Sequence, residues 1–226
     1  MLTLAIELST DIGSFALLDD ERVVFERTWQ ETHRQRQQFF AALQVAVEAR
    51  QIELPGVDLF AVGLGPGAFA GLRAAVAAAQ ALALPGGKAV YGVSSAEALA
   101  MQVFEESGAA TVFVIGDARR ERLWVAHFER GHAWPQLKTP CMLKDYASLN
   151  SSLTRGRAVW VSPDWDRIGD RLRPLAGPDG EPIEERRIPV ARWVGMLARR
   201  KVAAGIAAGP VAPIYMHPPV AAEPGS

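Results

Sequence analysis

The chain holds a single cysteine, Cys141, which excludes a disulfide framework and any cysteine-based zinc site. It lacks an excess of charge of either sign. Lys and Arg number 24 against 25 Asp and Glu, a net charge of −1, so it is not a basic body that coats nucleic acid by charge alone. Low hydrophobicity is also missing: at 49% apolar residues the sequence is not an acidic disordered chain. None of the four histidines, His33, His127, His132 and His217, has a second at helical i, i+4 spacing, and His33 meets Gln37 there, so no metal site is expected. No apolar run near 18 residues is free of breakers or polar groups, and the opening residues reach Glu7 too soon for a secretory signal. A soluble, cytoplasmic protein without a membrane segment is the expectation. Its 226 residues suit one large domain or two small ones.

What is present is ordered like a mixed sheet with helices. Residues 2–7, 15–18 and 22–28 read as a three-strand meander, with Asp19-Asp20 in the second turn. Residues 35–50 show helical spacing through Phe39, Leu43 and Val47. A buried-type strand at 58–63, an alanine-rich helix at 71–84, a strand at 88–93 and a helix from Ser95 to about 106 follow. The order βββ-α-β-α-β-α predicts an α/β fold and differs from the βαβαβ start of a dinucleotide fold. Strands at 111–116 and 122–129 restart the pattern, so a shorter second half is expected, dividing the chain into 1–107 and 108–226. Beyond that, the sequence suggests a helix at 145–153, a strand at 158–162, a loop at 174–189, a helix at 190–204, a strand at 211–215 and a frayed tail from 218. The tryptophans, Trp29, Trp124, Trp160 and Trp193 among them, read as core or interface anchors.

The densest signal is Gly63-Leu-Gly-Pro-Gly-Ala-Phe-Ala-Gly-Leu-Arg73, which leaves a strand and opens a helix. Such glycines let backbone N–H groups approach an anion, or simply allow a tight strand-to-helix turn. No Lys-Ser/Thr follows, so it is not a Walker loop, and the weak dinucleotide match at Gly63, Gly65 and Ala68 lacks its ribose-binding acid. A second cluster, Glu7 to Asp11, could place a metal–phosphate group or be an ordinary strand exit. A third, Asp117 with Arg119, Arg120 and Arg122, could bind an anion or be a solvated charged hairpin. The alanine-rich helix has almost no polar face, so it is covered by its own domain or, together with the Phe39/Leu43/Val47 helix, by another subunit.

Leu4-Ala-Ile-Glu-Leu-Ser-Thr10, the glycine loop with Gln80-Ala-Leu-Ala-Leu84, Gly92-Val-Ser94, Asp117-Ala-Arg119 and Pro213-Ile-Tyr215, in this order, resemble the bacterial tRNA threonylcarbamoyladenosine biosynthesis family TsaB, or YeaZ. The resemblance implies an actin/Hsp70-like ATPase (ribonuclease H-like) fold of two related lobes, the second reduced. It also implies a non-catalytic accessory subunit for the t6A modification at adenosine 37 of tRNA, which pairs with and activates the catalytic paralogue TsaD. The ATPase TsaE joins, tRNA is met only through the complex, and the free protein forms a homodimer. The interface it implies uses Phe39, Leu43, Val47, Leu72, Val76 and Leu82. A vestigial site, weak for ATP or ADP, is implied at Glu7, Gly65, Gly67, Gly71, Arg73 and Asp117, with no catalytic residue and no metal. The chain departs from the family in three places: Glu7 replaces Asp, Ala68 and Ala70 replace two hydroxyl residues, and Met216-His217 replaces Leu-Arg. The catalytic paralogue's His-x-x-x-His pair is absent, as His33 has Gln37 four residues on. The alternative is an ATP-dependent enzyme of the same fold, a kinase, ATPase or peptidase-like protein, using Glu7, Asp11, Asp117 and the loop.

Overall fold

A computed structural model of the chain describes residues 1–31, 38–49, 52–149 and 157–217. The opening meander forms as its alternation demands: β1 (Leu2–Glu7), β2 (Ile12–Asp19) and β3 (Arg22–Gln30) pair antiparallel in sequence. Asp20, in the left-handed region that Asp tolerates, makes the second turn. After α1 (Gln38–Glu48), β4 (Leu59–Gly63) and β5 (Ala89–Val93) add in parallel, joined by α2 (Phe69–Ala83). The first sheet is therefore ordered β3-β2-β1-β4-β5.

Side chains along β1 alternate between two cores, because successive strand residues face opposite ways. Leu4 and Ile6 join Phe15, Leu17, Phe60 and Val62 under α1 and α2. Ala5 joins Ala16, Leu18 and Ala61 on the other face. That second face is covered by Val194 and Leu197 of α5 (Ala191–Ala203), close to the C-terminus. Alanines on the sheet and Gly195 on the helix allow the close seat: a Cβ on Gly195 would lie 2.6 Å from a Leu18 methyl. Ser14 of β2 accepts the Ala191 N–H at 2.9 Å, satisfying a donor at the start of α5.

α3 (Ser95–Ser107) ends at Gly108, which takes the left-handed conformation. Beyond it come β6 (Thr111–Arg119), β7 (Arg122–Glu129), β8 (Gln136–Asp145), β9 (Ala158–Val161), α4 (Trp165–Leu172) and β10 (Gly180–Pro182). Read from the meander side, the second sheet runs β8-β7-β6-β9-β10. It repeats the first sheet's third-second-first-fourth-fifth order, with antiparallel β6–β7–β8 and parallel β6–β9–β10. This twice-used order is the actin/Hsp70-like, ribonuclease H-like architecture, and the second copy is reduced, with a three-residue last strand.

Five local expectations change, the first being the loop expected at 174–189, which begins within a 3-10 turn at Arg173–Leu175 and carries β10. The segment expected as a helix at 145–153 instead ends β8 and makes a short 3-10 turn at Tyr146–Ser148, and residues 150–153 lie outside the described residues. β8 itself was not expected, since its mostly solvent-facing residues and Pro140 give little apolar pattern. α4, eight residues long, is too short to show a period. Residues 211–215, expected as a strand, form none and join no sheet among the described residues. The ends of the 35–50 helix (35–37 and 50) and the tail from 218 lie outside the described residues. The stretch Phe69–Gly86 is long and apolar enough to cross a membrane, but its Leu72, Ala75, Val76 and Ala79 side packs inside the protein.

Candidate functional site

Glu7 ends β1 fully buried, and the structure satisfies it from within. Its Oε1 accepts the Ser9 N–H at 2.6 Å and its Oε2 accepts the Ser95 hydroxyl at 2.7 Å. Ser95 Oγ in turn accepts the Gly65 N–H at 2.9 Å, while the Ser95 N–H donates to Gly65 O at 2.8 Å. One relay thus ties β1, the start of the glycine loop and the start of α3. Burial pushes the Glu7 carboxyl above its ordinary value, and the hydrogen bonds from Ser9 and Ser95 partly restrain it. The extra methylene relative to aspartate has room because Gly63 faces it: a Cβ there would overlap Glu7 Oε2.

The loop closes onto the first turn. The Ala68 N–H donates to Ser9 O at 2.7 Å. A Cβ on Gly67 would overlap Ser9 O, and one on Gly71 would overlap Leu8 O. These glycines let backbone meet backbone. The Ala68 amide is thus already bonded to a carbonyl, and with alanine at 68 and 70 no side-chain hydroxyl stands beside it.

The remaining candidate residues sit elsewhere. Arg73 is exposed and lies over the Phe69 ring, 5.2 Å from its centroid. Asp117, at the end of β6, pairs with Arg119 at 3.4 Å and Arg167 at 3.2 Å, and its N–H donates to Asp164 at 2.8 Å. Among the described residues no hydrogen bond or ion pair joins the Asp117 cluster to the Glu7 relay. Asp11 instead accepts Arg186, whose Nε also donates to Pro163 O at 2.9 Å, so one guanidinium joins the two lobes. That pairing holds the Asp11 carboxyl below its ordinary value. Sequence reasoning missed Arg186, which lies in a loop rich in Pro and Gly with no pattern to mark it. No group of three His, Cys, Asp or Glu among the described residues could hold a metal, and burial pushes the Cys141 thiol up to about 12.

The helix faces need a correction. Phe39, Leu43, Leu72 and Val76, expected at an interface, are buried in this chain, and Val47 and Leu82 pack partly against the same core. Apolar periodicity marks the stripe that meets the sheet, not the outer side. The apolar residues that α1 and α2 offer to solvent include Phe40, Val45, Phe69, Ala74, Ala77 and Ala81, among the exposed Gln44, Arg73 and Gln80, with Leu84 just beyond α2 and 79% exposed.

The TsaD family model, described as tRNA N6-adenosine threonylcarbamoyltransferase, matches residues 29–139. The tRNA threonylcarbamoyladenosine biosynthesis protein TsaB of Escherichia coli is 29% identical over 231 residues, covering 98% of this chain and 96% of that protein. The chain resembles that TsaB over 98% of its length. The TsaB of Haemophilus influenzae is 31% identical over 128 residues, 56% of this chain and 53% of its own. Among solved structures, YeaZ from Pseudomonas aeruginosa covers 95% of this TsaB-like chain and 99% of its own at 22% identity, with a TM-score of 0.79. A second crystal structure, described as similar to peptidase YeaZ from that organism, reaches a TM-score of 0.81 at 22% identity, covering 96% and 99%. These two likenesses concern the fold.

Proposed function

We propose that this TsaB-like chain is a non-catalytic accessory subunit in the biosynthesis of N6-threonylcarbamoyladenosine at adenosine 37 of tRNA. It pairs with a TsaD paralogue and raises that enzyme's activity, with the ATPase TsaE joining and tRNA met through the assembly. It works in the cytoplasm, and in isolation two copies pair through the face otherwise given to TsaD. The observation that carries this reading is the similarity to E. coli TsaB over both lobes. Two features support it: the Ala68 amide of the glycine loop is taken by the Ser9 carbonyl, and the outer face of α2 carries the small apolar Ala74, Ala77 and Ala81 beside Arg73 and Gln80.

Reconstitution of the tRNA modification from purified TsaD and TsaE, with and without this chain, tests the role. Modification that depends on the chain supports it, and equal rates in its absence overturn it. Ala77→Glu tests the face. Ala77 is exposed, so the substitution leaves the unfolding free energy within about 0.5 kcal/mol of the parent. It weakens co-purification with TsaD by roughly tenfold or more, because a charge would be desolvated without a partner. ATP turnover by the isolated chain, lost in Glu7→Gln, would instead favour an enzyme of the same fold.

A further inference from the structure

The segment after α5 returns to the glycine loop and then leaves it for the other lobe. Val211 and Ile214 pack against the first-lobe core beneath α1 and α2. The Ile214 N–H donates to Leu64 O at 2.7 Å, so the tail takes an acceptor at the head of the loop. One residue on, the Tyr215 ring lies 5.0 Å from Phe69 at 32°, at the loop's far end, with Arg73 on the same phenyl ring. Met216 then packs into the core formed by α3 and the second sheet. His217 Nε2 lies 2.6 Å from Ala118 O, next to Asp117 at the tip of β6. Seven consecutive residues thus touch both ends of the loop in one lobe and the hairpin of the other. A surface-lying tail has no need to satisfy a carbonyl in each lobe.

We propose that residues 211–217 are an intramolecular strap that spans the two lobes over the glycine loop and fixes the opening between them. Ligands of two-lobed proteins favour the junction between the lobes, and here the chain's own backbone lies along it. The Pro213-Ile-Tyr215 motif, otherwise without a task, acquires one: Ile214 is the loop anchor and Tyr215 the ring that holds Phe69. His217 is the anchor on the second lobe.

Amide exchange in the full-length chain reads the strap directly. The Ile214 amide is expected to exchange at least about tenfold more slowly than an unstructured amide, since its bond must open first. An unprotected Ile214 overturns the proposal. In the double variant Tyr215→Ala with His217→Ala, exchange at residues 63–71 and at 117–123 rises together by roughly tenfold, while β1 and β4 keep their protection. A rise confined to one lobe, or no rise, overturns it. Should the variant fail to fold, a second measurement decides. Phe69→Cys with Tyr215→Cys, treated with a short bismaleimide, is expected to form an intramolecular bridge in the folded monomer, and failure to bridge removes the strap. The pair is introduced in a Cys141→Ser background, so that only the two new thiols can react.

Discussion

Glu7 and the glycines around it set the chemistry of the site. The Glu7 carboxyl titrates above its ordinary value of 4.5 in the folded chain, so over the interval between the two values the folded state holds a proton that the unfolded state has released. The group's contribution to stability therefore falls as pH rises through that interval. Glu7→Gln removes the slope: measured by urea midpoint, the variant gains on the parent as pH rises from 4.5 toward neutrality. Gly67→Ala is expected to cost about 3 kcal/mol or more, since the new methyl overlaps the Ser9 carbonyl and backbone cannot swing aside. Gly209→Ala, in open space, is the matched control, and thermal melts of the two separate overlap from a general glycine effect. The glycines were legible in the sequence as a loop that opens a helix. Their partner was not, because the backbone of Leu8 and Ser9 is distant in sequence and carries no side-chain signal.

Among the elements, α2 and α5 show what periodicity can and cannot report. Both helices were visible in the sequence through breakers and apolar spacing. Which residues of α2 face outward was not, because alanine serves equally on either side of a helix. The short elements β8 and α4 escaped notice for want of length and of an apolar stripe. α5 is tied to α3 by a largely buried ion pair, Lys201 Nζ to Glu97 at 2.6 Å. Burial pushes the Glu97 carboxyl up, and Lys201 draws it back. Removing one partner leaves the other charge without compensation, so Lys201→Met is expected to destabilise by about 3 kcal/mol in chemical denaturation. The double variant Lys201→Met with Glu97→Gln recovers most of that loss, and the cycle isolates the pair.

At the scale of the molecule, the doubled topology was legible because the strand pattern restarts at 111, whereas the contacts that bind the lobes were not. Arg186 to Asp11 and Arg187 Nη1 to Glu106 at 3.0 Å join segments far apart in the chain, and sequence spacing says nothing of such pairs. Asp11 is held below its ordinary 3.8, so its contribution is present at neutral pH and is lost as pH falls through the lowered folded value. Its side chain is half exposed, which limits the pair to about 1 kcal/mol or less. Asp11→Asn should show that loss at pH 7 and converge with the parent in acid, as read by denaturant midpoints. The seat of α5 also has a consequence for synthesis. A ribosome delivers the first sheet early, yet Ala5, Ala16, Leu18 and Ala61 wait for Val194 and Leu197 before that face is covered. A nascent or truncated chain that stops before α5 leaves this apolar face without its main cover, only Ala98 and Met101 of α3 sharing its core, and so exposes a surface prone to aggregation.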